Sequence, residues 1–262
     1  MTHPNARRIW LTGASSGIGL ALAEQLLKDG HFLALTARTV KPLEELESRY
    51  PGQVLLAPGD VTDGTQVTAI GDRINQIWGS LDTAILNAGT CEYIDSSQYD
   101  AALFERVIRT NLLASSYCVQ EALLLLRHGQ KPHLVGVCSS VTYLPLTRSG
   151  AYGASKAGLR YLFESLRIDL AHEGIDVTVI SPGFVDTPLT ARNDFAMPMR
   201  WSAQKAGKHI AERLQRARRP LEIAFPIPFI LILRLLSLLP TRLQLALGKR
   251  MARAPAPAKD AR

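Results

Sequence analysis

Cysteine is scarce: Cys91, Cys118 and Cys138 are the only three among 262 residues, and they follow no paired spacing. That excludes a disulfide framework and fits a reducing compartment, so a cytoplasmic setting is expected. No uninterrupted apolar run reaches the ~18 residues that a membrane-crossing helix requires. The first five residues are polar and lead almost at once into a strand, so no signal peptide is expected. His128, His133, His172 and His209 lack metal-ligand spacing, and no metal is expected. There is no internal repeat, and the one low-complexity stretch is the Ala/Pro/Lys tail over 252–262, expected to be disordered. Acidic residues run short in one region. Residues 192–262 hold 15 Lys+Arg against 4 Asp+Glu, while the rest of the chain holds 15 against 19. A basic C-terminal quarter on a mildly acidic body suggests either an anionic surface as partner or a solvated tail. No nucleic-acid-binding motif accompanies it, and nucleic acid is not expected as a partner.

What the chain does have is a regular alternation of apolar strands and helical patterns, over a length suited to one α/β domain. Strands are expected at 8–11, 32–36, 54–57, 81–86, 133–138, 177–180 and 221–225. Helices are expected at 17–28, 42–50, 65–78, 99–127, 150–172 and 202–218. This order predicts a Rossmann-type, doubly wound sheet of about seven mostly parallel strands with helices on both faces. Ligands of such sheets bind outside the carboxyl ends of the strands. Gly13, Asp60, Asn87, Ser139 and Pro182 each follow directly on an expected strand.

Two motifs carry chemistry. In Tyr152-Gly-Ala-Ser-Lys156 the phenol and the ammonium are four residues apart, on one helix face. A lysine there favours the phenolate and should draw the tyrosine pKa down from about 10. A phenol so tuned can give a proton to a carbonyl oxygen or take one from an alcohol. Near the N-terminus, Arg8-Ile-Trp-Leu-Thr12-Gly13-Ala-Ser15-Ser16-Gly17-Ile18-Gly19 runs from a strand through a glycine-rich turn into a helix. Such a turn lets the backbone approach a pyrophosphate, which sits on the N–H groups of the helix start.

With these residues the chain resembles the short-chain dehydrogenase/reductase family over roughly residues 8–226. Thr12 to Gly19 is similar to the family's TGxxxGxG cofactor loop and Asn87-Ala88-Gly89 to its NAG motif. Asn111, Ser139, Tyr152 and Lys156 match the catalytic tetrad, and Ser181-Pro182-Gly183 the segment after the sixth strand. The resemblance implies that Tyr152 is the general acid/base and that Lys156 tunes it and binds the nicotinamide ribose. It implies that Ser139 orients the substrate oxygen, with Ser140 as the competing residue. For Asn111 it implies bending of the central helix and a proton relay; an ordinary capped or surface asparagine is the alternative. Cofactor contacts are expected from Gly13, Ser15, Ser16, Gly17, Ile18, Gly19, Asp60, Val61, Asn87, Ala88, Gly89, Tyr152, Lys156, Pro182, Gly183, Val185 and Thr187. Asp60 could instead cap the helix that follows Thr62. An NAD enzyme usually carries an acid after the second strand to bind the ribose 2′-hydroxyl. Here Ala37 stands at that position and Arg38 follows, which suits a 2′-phosphate and points to NADP(H).

The expected activity is an NADP(H)-dependent interconversion of a ketone or aldehyde and an alcohol; the alternative is a non-catalytic NADPH-binding scaffold or redox sensor. The resemblance implies a catalytic domain over residues 1–226 with a substrate loop over 184–201, in which Met197, Met199 and Trp201 serve either packing or substrate recognition. Helices 99–127 and 150–172 resemble the pair through which the family builds a four-helix dimer bundle, and Leu103, Val107, Leu159, Leu162, Phe163 and Leu166 exceed one core-facing stripe, so a homodimer or homotetramer is expected. The departure from the family is a hydrophobic and basic arm over 227–251. It is too short to span a bilayer. It either packs on its own domain or a partner subunit, or lies on a membrane surface beside the substrate mouth, which leans the substrate toward a lipophilic carbonyl.

Overall fold

The computed structural model describes residues 6–251, so the expected disordered tail lies outside the described residues. Seven strands form one fully parallel sheet: β1 (Arg8–Thr12), β2 (Phe32–Thr36), β3 (Val54–Leu56), β4 (Thr83–Leu86), β5 (His133–Val137), β6 (Asp176–Pro182) and β9 (Glu222–Phe225). Their spatial order is β3-β2-β1-β4-β5-β6-β9, which reverses direction between β1 and β4. A short parallel pair, β7 (Val185–Asp186) with β8 (Trp201–Ser202), lies outside the sheet. Both members are only two residues long, which is why no sequence pattern announced them.

The strands read as near-continuous apolar runs because both faces are covered, as parallel sheets require. On one face lie α3 (Gly64–Trp78), α5 (Ala114–Leu126) and α6 (Gly150–Asp169), around a core that includes Trp10, Leu81, Leu134 and Phe163, while α4 (Ala101–Ile108) packs through Val107 in a smaller cluster with Ile94 and Ala151. On the other lie α1 (Gly17–Lys28), α2 (Lys41–Arg49) and α7 (Ala203–Leu214), around Leu11, Leu22, Leu35 and Phe225. Acidic and hydroxyl side chains start several of these helices. Asp63 Oδ1 accepts from Thr65 N at 2.9 Å, Asp100 Oδ1 from Ala102 N at 2.8 Å and Ser202 Oγ from Lys205 N at 3.1 Å.

The long helix expected over 99–127 is interrupted. Arg109–Leu113 forms one π-helical turn between α4 and α5, with Asn111 fully buried in it. Such turns cluster at functional sites. Of the apolar residues that suggested a subunit interface, Val107, Leu159 and Phe163 are spent inside the chain's own core. The large apolar residues left exposed on this side are Leu113, Leu124, Tyr161 and Ile168.

The C-terminal arm is two helices, α8 (Ile227–Ser237) and α9 (Thr241–Met251). Phe229, Ile230 and Leu233 of α8 are buried against the domain, while α9 has exposed side chains along most of its length.

Candidate functional site

Most of the residues that the sequence marked as candidates, though not Asn111, Gly183 or Val185, border one cleft of about 480 Å³ along the carboxyl ends of the strands. Its floor at the switch between β1 and β4 is tied by four hydrogen bonds. Thr12 Oγ1 accepts from the backbone N–H groups of Asn87 at 3.0 Å and Ala88 at 3.1 Å. Asn87 Nδ2 donates to the Thr12 and Gly13 carbonyls, both at 3.1 Å. Glycine is required where the turn passes beneath this latch. Gly13 has φ +68°, and a Cβ on Gly19 would stand 2.1 Å from the Gly13 carbonyl oxygen. The start of α1 is therefore a bare cradle: its N-cap Ser16 makes no side-chain capping bond, and Ser15, Ser16 and Gly17 border the cleft. Uncapped N–H groups at a positive helix end suit a phosphate.

At one end of the cleft lie Arg38, Asp60 and Val61. The Arg38 side chain is 79% exposed and stands 4.0 Å from Asp60, so its guanidinium is available at the rim. Asp60 does not cap α3, whose N-cap is Asp63; its Oδ1 instead accepts from Thr62 N at 2.9 Å and Thr62 Oγ1 at 2.8 Å.

At the other end stand Ser139, Tyr152 and Lys156. Ser139 rather than Ser140 borders the cleft; Ser140 is buried in the short turn that follows β5. Lys156 Nζ donates to the Val137 carbonyl at 2.8 Å. The buried Asn111 is held rigidly behind them. Its Oδ1 accepts from Thr90 N at 2.7 Å, and its Nδ2 donates to Thr90 O at 2.9 Å and Ser155 Oγ at 2.8 Å. Asn111 Oδ1 and Lys156 Nζ flank Gly89, at 3.1 Å and 3.3 Å from where its Cβ would be.

The electrostatics differ from the sequence expectation. Burial pushes the Tyr152 phenol well above its ordinary range, and the hydrogen bond with Ser139 offsets only part of that. Burial also lowers the Lys156 ammonium. Burial therefore moves the phenol in the direction opposite to the one that the Tyr152–Lys156 spacing suggested. Cys138, beside Ser139, is a neutral thiol pushed up by burial to about 11.

Not every expected residue meets the cleft. Pro182 and Thr187 border it, but Gly183 and Val185 do not. Val185 is buried in the core, and a Cβ on Gly183 would lie 2.9 Å from the Phe229 ring of α8. Trp201 is a packing residue, stacked on Phe225 with centroids 4.9 Å apart. The sequence reading missed Glu222 altogether. Its Oε1 accepts from Tyr143 Oη, from Arg160 Nη1 at 2.7 Å and from Ser181 Oγ at 2.7 Å, and its Oε2 from Arg234 Nη2 at 2.6 Å. One carboxylate so joins the turn after Ser139, the helix of Tyr152 and Lys156, the end of β6 and the C-terminal arm. No motif signals it, because the four partners are spread from residue 143 to residue 234.

Fold and cleft together define an α/β enzyme of the doubly wound, nucleotide-binding class. A model of the short chain dehydrogenase family matches residues 7–196, and the chain belongs to that family. An uncharacterised oxidoreductase of Mycobacterium tuberculosis is 33% identical over 251 residues, covering 93% of this chain and 98% of the relative. Among solved structures, a short-chain dehydrogenase from Streptomyces avermitilis superposes with a TM-score of 0.82 at 23% identity, covering 94% of this chain and 97% of that one. An alcohol dehydrogenase from Thermococcus sibiricus, complexed with 5-hydroxy-NADP, gives a TM-score of 0.77 at 24% identity over 84% of this chain and 96% of that one. The protein is an oxidoreductase of this family.

Burial raises the pKa of Glu222, but its bonds from Arg160, Tyr143 and Ser181 outweigh burial and hold it below the ordinary carboxylate range. A depressed folded-state pKa adds stability above the unfolded value of about 4.3, and that stability is lost as the pH falls through the folded value. Glu222→Gln should therefore cost about 2 kcal/mol at neutral pH, the scale of charge-assisted hydrogen bonds. Thermal melts across pH should show the gap from wild type closing under acid; a gap independent of pH would contradict the charged network.

Proposed function

We propose that the protein interconverts a ketone or aldehyde and an alcohol using NADP(H). The observation that carries this reading is the convergence of Ser139, Tyr152 and Lys156 at one end of a cleft whose glycine-rich middle fits a pyrophosphate. The uncapped start of α1 and Gly13, Gly17 and Gly19 would hold the diphosphate, Asn87 to Gly89 the adjoining stretch, and Pro182 and Thr187 the nicotinamide end. Arg38 beside Ala37, with no acid at that position, favours the 2′-phosphate form, in keeping with the 5-hydroxy-NADP of the Thermococcus relative. A bound dinucleotide would supply a hydride to the carbonyl carbon, or accept one from the carbinol carbon of the alcohol.

The chain's own residues handle the proton. Ser139 donates a hydrogen bond to the substrate oxygen and steadies the charge that develops there. Tyr152, kept protonated by burial, gives its proton to that oxygen in the reductive direction. The Ser139 contact favours the resulting phenolate, and Lys156 with Asn111 behind it restores the proton. A non-catalytic NADPH-binding scaffold would need the glycine turn but not a phenol on the cleft wall beside Ser139 and Lys156, and no observation favours it.

Leu113, Leu124, Tyr161 and Ile168 on the outward faces of the central helices support a homodimer or homotetramer. The substrate is lipophilic in this reading, and the protein is cytoplasmic.

Tyr152→Phe should leave NADPH binding near wild type and lower kcat by about 10²–10⁴, the usual contribution of general acid catalysis. An assay of NADPH oxidation against a ketone and aldehyde panel checks it, and near-normal turnover would sink the mechanism. Arg38→Ala should weaken NADPH far more than NADH in a fluorescence titration; equal losses would overturn the cofactor assignment. Light scattering should give a mass above the 28.7 kDa monomer at micromolar concentration, and a monomer mass would refute the assembly.

A further inference from the structure

The arm presents two faces of opposite role. Phe229, Ile230 and Leu233 of α8 point into the domain, but Ile227, Leu231, Leu235 and Leu238 recur on the opposite side at one helical spacing. These four are 53%, 52%, 65% and 80% exposed. The stripe is about 16 Å long at 1.5 Å per residue. Beyond Pro240, α9 carries on with Leu243 and Leu247 exposed one turn apart. Gln244 Nε2 bonds α9 to the end of α8, at 3.0 Å to Ser237 O and 2.8 Å to Leu239 O. Among the described residues no helix is long and apolar enough to cross a membrane.

Charge identifies what covers this face. Between Ile223 and Lys259 there is no Asp or Glu, while Arg234, Arg242, Lys249, Arg250, Arg253 and Lys259 are all basic. Arg234 is committed to Glu222. Arg242 and Lys249 lie exposed seven residues apart on one side of α9, the helix that follows the apolar stripe of α8. An apolar stripe followed by unopposed positive charge matches a plane that is anionic at its surface and apolar just beneath it. A protein partner would have to supply both features itself, whereas an anionic lipid leaflet has both. We infer that α8 and α9 dock the protein on an anionic bilayer, with the Ile227–Leu231–Leu235–Leu238 stripe entering the headgroup boundary and the α9 cations lying on the lipid phosphates.

The inner face of the same helix ties this docking to the site. Phe229 packs on Phe184 with centroids 5.3 Å apart, Phe184 on Phe195 at 5.9 Å, and Phe195 on Tyr93 at 5.7 Å. This aromatic row runs from the arm to the loop whose Thr90 and Glu92 border the cleft. Resting on the reductase reading above, the arrangement sets the catalytic end of the cleft beside the leaflet and narrows the substrate to a carbonyl or alcohol borne on a lipid chain.

The test is flotation of the full-length protein with vesicles of equimolar phosphatidylglycerol and phosphatidylcholine, against vesicles of phosphatidylcholine alone. Wild type should float with the anionic vesicles at low salt and be released toward about 1 M salt, where the Debye length is about 3 Å. Arg242→Gln with Lys249→Gln should weaken partitioning by about fivefold per charge, the equivalent of about 1 kcal/mol each. Leu231→Asp with Leu235→Asp changes only exposed side chains and should abolish binding, a loss of at least about a hundredfold for two leucines. Circular dichroism melts of both variants should match wild type. The inference falls if wild type ignores anionic vesicles at low salt, if folded variants bind as wild type does, or if Leu231→Asp with Leu235→Asp instead splits an oligomer. Flotation needs no turnover, so its failure leaves the redox chemistry standing, and an active Tyr152→Phe variant would leave the docking standing.

Discussion

The latch between Thr12 and Asn87 is the constraint on which the site depends. A doubly wound sheet opens a crevice where its strand order reverses, here between β1 and β4. Left alone, the two diverging chain ends would expose unpaired backbone groups. Thr12 Oγ1 takes two of the N–H groups leaving β4, and Asn87 Nδ2 takes two of the carbonyls leaving β1. The crevice floor becomes a fixed surface, and the glycine turn can run across it only because Gly13 and Gly19 carry no side chain. The uncapped start of α1 is aimed by that turn.

At the catalytic end the organising force is desolvation. Tyr152 and Lys156 share a helix face, yet the lysine ammonium is bonded to the Val137 carbonyl, and burial moves both groups toward their neutral forms. The phenol lies against Ser139, and the lysine and Asn111 flank Gly89 behind it. The π turn at Arg109–Leu113 is what lets Asn111 reach the Thr90 backbone and Ser155 together, since a regular helix would carry its side chain past them.

Glu222 and Phe229 make the C-terminal arm part of the same construction. Arg234 shares the Glu222 carboxylate with Tyr143 and Arg160, and Tyr143 lies between the two guanidiniums at 4.9 Å and 5.2 Å. An element that looks like an appendage in sequence is thereby joined to the turn that carries Ser139. Its outer stripe stays free of the domain because its inner face already fills the space above Gly183.

The sequence by itself determined the sheet, the helices on both its faces, the glycine turn and the shared helix face of Tyr152 and Lys156. These rest on local causes: apolar runs where both sheet faces are covered, glycines where a turn admits no side chain, and residues four apart on one helix. Tertiary structure alone decided the rest. Whether Tyr152 is drawn down by Lys156 or held up by burial depends on how much water reaches the phenol, which spacing does not encode. Ser139 and Ser140 are chemically alike, and only the path of the turn after β5 sends one to the cleft and the other into the core. Val107, Leu159 and Phe163 look like surplus in a helical pattern because the depth of the core beneath them is invisible there. The Glu222 network joins residues far apart in the chain, so nothing short of the fold could bring its charges onto one carboxylate.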